Sequence, residues 1–171
     1  MLDTNQMLKL LETHGRITCV QLAAMLGCEE SEVADAVGTL EKNKTIIGYT
    51  TIVDWDKTDR EVVSALIEVK VVPQRGEGFD RVASRIYQYK EVDSVYLMSG
   101  GFDLMVLIEG KTLKEVALFV AQKLAVMEAV SATATHFVLK KYKDKGVIFT
   151  DEPDEDKRTI DRKSVGRERV F

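Results

Sequence analysis

The chain has 171 residues, 45% of them hydrophobic and 30% charged, and a formal net charge of −4. That length suits one ordinary domain or two small ones, and the apolar fraction is that of a folded chain. The mild acidity argues against a general nucleic-acid binder, and no apolar run approaches the roughly 18–20 residues of a membrane helix, so no membrane partner is expected.

The N-terminal stretch MLDTNQMLKLLETHG is amphipathic, with no basic segment leading into an apolar core, so it does not read as a signal peptide and a cytoplasmic address is expected. A first helix should run from about Thr4 to His14, capped by Asp3 or Thr4, with Met7, Leu8 and Leu11 as its stripe and Gly15 as its stop. A second begins at Thr18, where TCVQ forms a capping box between Thr18 and Gln21. Leu22, Met25 and Leu26 should form its inner face, and Gly27 the turn after it. A third carries Val33, Val37 and Leu40 at i, i+4 and i+7. Three short helices with a glycine turn between the last two read as a helix-turn-helix, and a generic three-helix bundle is the plainer alternative. Cys19 and Cys28 are the only cysteines. Their spacing fits no zinc motif, and His14 and His136 are too isolated to complete one. The thiols therefore read as reduced, buried structural residues, with no metal and no cofactor expected.

TIIGYTTIVDW, residues 45–55, is β-branched and aromatic and reads as a strand leaving the helical unit. DKTDRE is a polar linker, so a boundary is expected near Asp56–Glu61. VVSALIEVKVV is a strand ending at Pro73, and GFDRVASRIYQY a helix with Phe79, Val82 and Ile86 inside. VDSVYLMS and DLMVLIEG are strands around GGF. TLKEVALFVAQKLAVM is a helix opened by a second capping box, Thr112 with Glu115, and VSATATHFVLKKY is the last strand. The order βαββαβ predicts an α+β, ferredoxin-like sandwich with helices on one face of an antiparallel sheet. LMVLI is apolar at every position, which predicts a strand buried on both sides. One helix layer cannot achieve that, and the simplest cover is a second subunit; a strand partly hidden by the tail is the alternative. The expected division is 1–50 helix-turn-helix, 51–61 linking strand and linker, 62–143 ferredoxin-like domain and 144–171 disordered tail. The last eleven residues, DRKSVGRERVF, resemble translated sequencing-adapter DNA and are set aside from functional reasoning.

Together these elements resemble the Lrp/AsnC, or feast/famine, family of transcription regulators, over roughly Asn5 to Tyr142. ITCVQLAAMLGCEESEVADAVGTLEKNKTIIGYTTIVD follows the family's helix-turn-helix and exit strand, including the run L-E-x-x-x-x-I-x-G-Y. YLMSGGFDLMVLIEG resembles its glycine turn and third strand, and HFVLKKYKD its closing strand. The resemblance implies a winged-helix-like N-terminal unit that binds double-stranded DNA. It also implies a ferredoxin-like unit that senses a small molecule, often an amino acid, at subunit interfaces, in a dimer or octamer.

The departures fall on the third helix. Residues 29–44 carry five acids, Glu29, Glu30, Glu32, Asp35 and Glu41, against Lys42 and Lys44. Where the family presents a Ser/Thr pair and two arginines to the major groove, Glu32, Ala34, Ala36 and Thr39 stand here. A bidentate arginine–guanine contact is worth about 1–3 kcal/mol, so losing two per subunit removes roughly 4–12 kcal/mol from a dimer, comparable to the usual specificity gap of about 4–10 kcal/mol. Three readings stay open. Carboxylates can accept from cytosine N4, while glutamates in a first turn also stabilise the helix dipole. Several weak half-sites can add through avidity. Or specific DNA binding has been lost, leaving an amino-acid sensor or dimerisation module. The DNA-facing candidates are Thr18 and Gln21 on the second helix and Glu30, Ser31, Glu32, Asp35, Thr39, Lys42 and Lys44 on and after the third.

The effector candidates are Met98, Ser99, Gly100, Gly101, Phe102 and Asp103, with Thr133 and Thr135 on the last strand. Two glycines permit φ > 0 and a close backbone approach to a ligand. Asp103 can meet an α-ammonium or fix the turn by bonding to the chain. An ordinary hairpin, with the glycines only permitting the turn, is the alternative. The family often has an acid where Gly101 stands; the less charged turn here favours a neutral or apolar effector. The chain shows no nucleophile–base pair, metal-spaced cluster or phosphate-cradling loop, so no enzyme is expected.

Overall fold

The computed structural model describes residues 2–72 and 78–149, so Pro73 and the acidic and basic stretches of the tail from residue 150 lie outside the described residues. Contacts between residues divide the chain into two units, Met1–Val53 and Asp54–Phe171.

The first unit is three helices, α1 (Thr4–Thr13), α2 (Cys19–Leu26) and α3 (Glu30–Lys42). The Asp3 carboxylate caps α1, accepting from the amides of Asn5 and Gln6 at 3.0 and 3.1 Å. The capping box of α2 is complete: the Thr18 amide donates to Gln21 Oε1 at 3.0 Å and the Gln21 amide to Thr18 Oγ1 at 3.2 Å. Gly27 closes α2 at φ 67°, the left-handed value that glycine adopts without strain. Met7, Leu22, Ala23 and Val33 form the buried core, with Leu10, Leu11, Leu26, Val37 and Leu40 packed round it. Met25 departs from expectation and is 53% exposed. An eight-residue helix leaves its apolar phase ambiguous, and the inward face is Cys19, Leu22, Ala23 and Leu26, about 110° from Met25 at roughly 100° per residue. Cys19 and Cys28 are free and half-buried rather than fully buried. The exit segment from Thr45 is not a strand, and a single turn of 3₁₀ helix covers Trp55–Lys57. A strand needs a partner for its amides, and Ile47 and Tyr49 are 89% and 57% exposed.

The second unit is a four-stranded antiparallel sheet of β1 (Val63–Val71), β2 (Val92–Leu97), β3 (Leu104–Gly110) and β4 (Val130–Phe137), in the order β2-β3-β1-β4. Two helices, α4 (Phe79–Ile86) and α5 (Leu113–Phe119), cover one face, and a wider π turn over Val120–Leu124 continues α5. This is the expected βαββαβ sandwich. On the covered face Ala65, Ile67 and Val69 of β1 sit opposite Ile108, Val106 and Leu104 of β3, packed against Val82, Ile86, Val116 and Leu124. The Thr112 hydroxyl caps α5 by accepting from the Glu115 amide at 3.1 Å. The Glu115 carboxylate reaches the Lys111 amide at 2.8 Å, one residue earlier than a capping box requires.

The second face bears on the reading of LMVLI. Along β3 burial alternates, with Leu104, Val106 and Ile108 buried and Met105 and Leu107 half-buried. Successive side chains point to opposite faces, so Met105 and Leu107 lie on the uncovered face with Leu66 and the half-exposed Tyr96. Beside them His136 Nε2 sits 3.2 Å from Glu68 Oε1. The apolar run is therefore not explained within one chain.

The ordered fold also runs past Asp144, where the tail was expected to begin. β5 (Lys143–Asp144) and β6 (Val147–Ile148) form a small hairpin. Its two turn residues, Lys145 and Gly146, have φ of 43° and 85°. Both positive values make the tight turn whose twist suits paired strands.

Candidate DNA-reading helix and effector turn

The N-cap of α3 is Glu29, whose side chain makes no capping bond, and Glu30 and Glu32 occupy the helix's first turn. With Val33, Ala36, Val37 and Leu40 packed inward, the opposite stripe holds Ser31, Asp35 and Lys42, flanked on one side by Glu32 and Thr39 and on the other by Glu30. All six are exposed, as are Thr18, Gln21 and Lys44. Ala36 packs on the core and does not face outward with the others. Thr39 Oγ1 donates to the Asp35 carbonyl at 2.8 Å, and Thr18 and Gln21 spend one oxygen each on the cap of α2. The side-chain nitrogen of Gln21, Nε2, stays available to donate. Lys44 lies just past the end of α3 with φ 65°.

One functional contact was missed in sequence. The Tyr49 hydroxyl on the exit segment donates to Glu41 Oε1 at 2.9 Å and ties that segment to the last turn of α3. Partial burial and the Glu41 carboxylate hold the Tyr49 hydroxyl above its ordinary value of 10.0. The run L-E-x-x-x-x-I-x-G-Y contains both residues and was the available signal.

At the β2–β3 turn the Met98 amide donates to the Asp103 carbonyl at 2.8 Å, closing a loop of Ser99, Gly100, Gly101 and Phe102. The Asp103 carboxylate accepts from the Val71 amide at 2.7 Å, while its own amide donates to the Val69 carbonyl at 3.1 Å. Of the two roles read for Asp103, bonding to the chain is the one observed. Gly100 alone has a positive φ, 156°, and a Cβ at Gly101 would meet nothing within 4 Å. Met98, Ser99, Gly100 and Gly101 are exposed, whereas Phe102 and Asp103 are half-buried. Thr133 and Thr135 pair with Val69 and Ile67, which puts them on the helix-covered face, one strand beyond β1 from the turn. Two strand spacings, roughly 9–10 Å, separate β3 from β4, so the structure brings the six turn residues together but not the two threonines.

A cleft of about 940 Å³ lies at the other end of the sheet, with Arg60, Glu91, Lys111, Glu115 and Lys123 among its walls and none of the effector candidates. It is partly open to solvent and its walls mix acids and bases. Among the described residues no group of three or more His, Cys, Asp or Glu is placed to hold a metal ion, and no helix is long and apolar enough to cross a membrane.

Comparison with known proteins bears on both units. The Lrp/AsnC ligand binding domain matches residues 64–148. An uncharacterized HTH-type transcriptional regulator of Bacillus subtilis, YugG, is 47% identical over 156 residues, 91% of this chain and 93% of its own length. Among solved structures, the complex of the transcriptional regulator NMB0573 from Neisseria meningitidis with L-Met has a TM-score of 0.68 at 21% identity, covering 84% of this chain and 94% of that one. The feast or famine regulatory protein Rv3291c of M. tuberculosis, complexed with L-methionine, also has a TM-score of 0.68 at 21% identity, over 82% of this chain and 92% of its own. At that identity the two structures speak for the fold, and the close relative speaks for the family: the chain belongs to the Lrp/AsnC family of helix-turn-helix transcriptional regulators.

Proposed function

We propose that the chain binds double-stranded DNA through residues 1–50 and responds to an amino acid, or a related small molecule, held at the Met98–Asp103 turn between copies of residues 62–143. The observation that carries this reading is the turn itself. Asp103 pins it to β1, yet Ser99, Gly100 and Gly101 stay exposed with open space round both glycines. Such a turn presents backbone amides on a fixed base but supplies only one wall of a site, so a neighbouring copy has to supply the rest. The uncovered sheet face offers a surface for self-association, with a dimer as the simplest unit and an octamer as its multiple. The L-methionine complexes of two fold neighbours support an amino-acid effector, and the uncharged glycine pair suits a neutral or apolar one. A regulator that reads DNA works in the cytoplasm.

On the DNA side, Ser31, Asp35, Thr39 and Lys42 face the groove, Glu30 and Glu32 support the start of α3, and Thr18, Gln21 and Lys44 lie towards phosphates. A second reading has a specific observation behind it: the outward stripe of α3 holds Asp35 and Glu32 against one lysine, Lys42, which favours a sensor that keeps the helix-turn-helix shape without its use. Thermal shift with a panel of free amino acids, on wild type and Gly101→Asp, tests the effector half. A shift by neutral amino acids in wild type that is altered in the variant is expected, because the new side chain enters open space. Equal shifts in both, or none in wild type, contradict an effector at this turn.

A further inference from the structure

The N-terminal stretch 1–50 is the more acidic part of the chain, with four bases against seven acids. A phosphate backbone supplies most of the affinity of a DNA-binding protein, through cations that displace condensed counterions. That raises the question of where this chain keeps its cations.

The densest group stands in the second unit, in LKKYKDKGVI, residues 139–148, which holds four lysines and one acid. Lys140, Lys143 and Lys145 are exposed and Lys141 is half-buried. No ion pair to a described residue engages any of the four. The segment is built, not loose. Lys140 lies over the Tyr142 ring, 5.1 Å from its centre. The Phe149 amide donates to the Tyr142 carbonyl at 3.0 Å and closes the β5–β6 hairpin. The tight turn then sets Lys145 at the tip. The Val138 amide donates to the Ser64 carbonyl at 2.9 Å, so this strip leaves the sheet at the end where β1 begins. Leu139, just before the lysines, and Tyr142, among them, are 97% and 65% exposed.

We propose that this lysine strip is a second DNA contact, one that binds phosphates of the duplex without reading sequence. The inference rests on the DNA-binding reading above and adds a contact to it: α3 contributes groove contacts with little charge, and the hairpin contributes the charge. A duplex fits better than an acidic protein surface because cations on and just before a hairpin, with an aromatic ring among them and an aliphatic side chain beside them, suit a polyanion with apolar sugar edges.

The test is the salt dependence of binding of the full chain to its own upstream duplex, followed by fluorescence anisotropy, for wild type and for Lys140→Ala/Lys143→Ala/Lys145→Ala. A matched control removes three exposed lysines of the helix layer, Lys111→Ala/Lys114→Ala/Lys123→Ala. Each phosphate contact contributes about 0.9 to the slope of log Kobs against log salt concentration. The hairpin variant should therefore lose roughly 2–3 from the slope per engaged subunit while the control keeps the wild-type slope. Both variants should melt within a degree or two of wild type, since the altered side chains are exposed. An unchanged slope in the hairpin variant, or an equal loss in the control, overturns the proposal while leaving DNA binding by α3 intact. A smaller oligomer with an unchanged slope assigns the strip to self-association and overturns it too. A wild type that binds no duplex overturns both this inference and the reading beneath it.

Discussion

Asp103 offers the sharpest perturbation, because the structure gives it a single strong contact. Its carboxylate accepts from the Val71 amide at 2.7 Å, in a half-buried position at the end of β1. A hydrogen bond to a charged group contributes about 1.5–3 kcal/mol, and a buried amide left without its partner costs about 1–3 kcal/mol. Asp103→Ala should thus destabilise the second unit by about 1.5–3 kcal/mol. For a unit of this size that is a fall in melting temperature of about 6–24 °C. Asp103→Asn keeps an acceptor of the same shape but loses the charge. Charged bonds are roughly twice as strong as neutral ones, so the asparagine variant should lose about half as much. Scanning calorimetry of wild type and both variants, each with and without the best amino-acid ligand, reads both quantities. The expected order is wild type, then asparagine, then alanine, with the asparagine variant still shifted by ligand. If alanine melts with wild type, the bond to Val71 does not hold the turn. If asparagine melts near wild type yet loses all ligand response, Asp103 serves an α-ammonium and its structural role is secondary.

Other changes follow from the same geometry. Leu107→Glu sets a charge beside Leu66 on the uncovered sheet face and should convert the oligomer to a monomer by light scattering with little loss of fold; an unchanged mass would mean that copies meet elsewhere. Lys44→Gly relieves a left-handed residue at φ 65°, where a side chain costs roughly 1–2 kcal/mol, partly offset by glycine's extra entropy of about 0.5–1 kcal/mol. Its melting temperature should rise by a few degrees, and a fall would show that the Lys44 side chain makes a contact worth more than the strain. For Tyr49 the hydroxyl is raised in the folded chain, so its bond to Glu41 contributes fully at and below the ordinary value of 10.0 and is lost as pH rises through the raised value. Tyr49→Phe should cost no more than about 1 kcal/mol at neutral pH and should flatten the alkaline decline in stability of the first unit. An equally steep decline in the variant would place that titration elsewhere.

Local signals with one interpretation were legible in the sequence. TCVQ gave the capping box that the structure shows in full, Gly27 the left-handed close of α2, and the 3.6-residue spacing of Val33, Val37 and Leu40 the inner face of α3. Alternating strand and helix patterns were enough for the βαββαβ order. What could not be read depended on partners distant in sequence. TIIGYTTIVDW has strand composition, but composition supplies no neighbouring strand. LMVLI reads as doubly buried, and the helices of one chain cover only one of its two faces. Asp103 carried two roles until Val71, thirty-two residues away, was found under its carboxylate. Thr133 and Thr135 were grouped with the turn, and only the register of β4 against β1 separates them from it. The hairpin after Tyr142 was hidden by its polar composition, although Lys145–Gly146 is a recognisable pair for a two-residue turn.

Whether the acidic α3 helix reads DNA is settled most directly at the DNA. The decisive measurement is fluorescence anisotropy of the full chain on a duplex from upstream of its own gene, against a scrambled duplex of equal length, at two salt concentrations. Tighter binding to the native duplex is expected, weakening as salt rises, with a change in that binding when a neutral amino acid is added. Equal binding to the two duplexes, or none to either, would contradict it and leave a ligand-sensing protein that keeps the helix-turn-helix only as a shape.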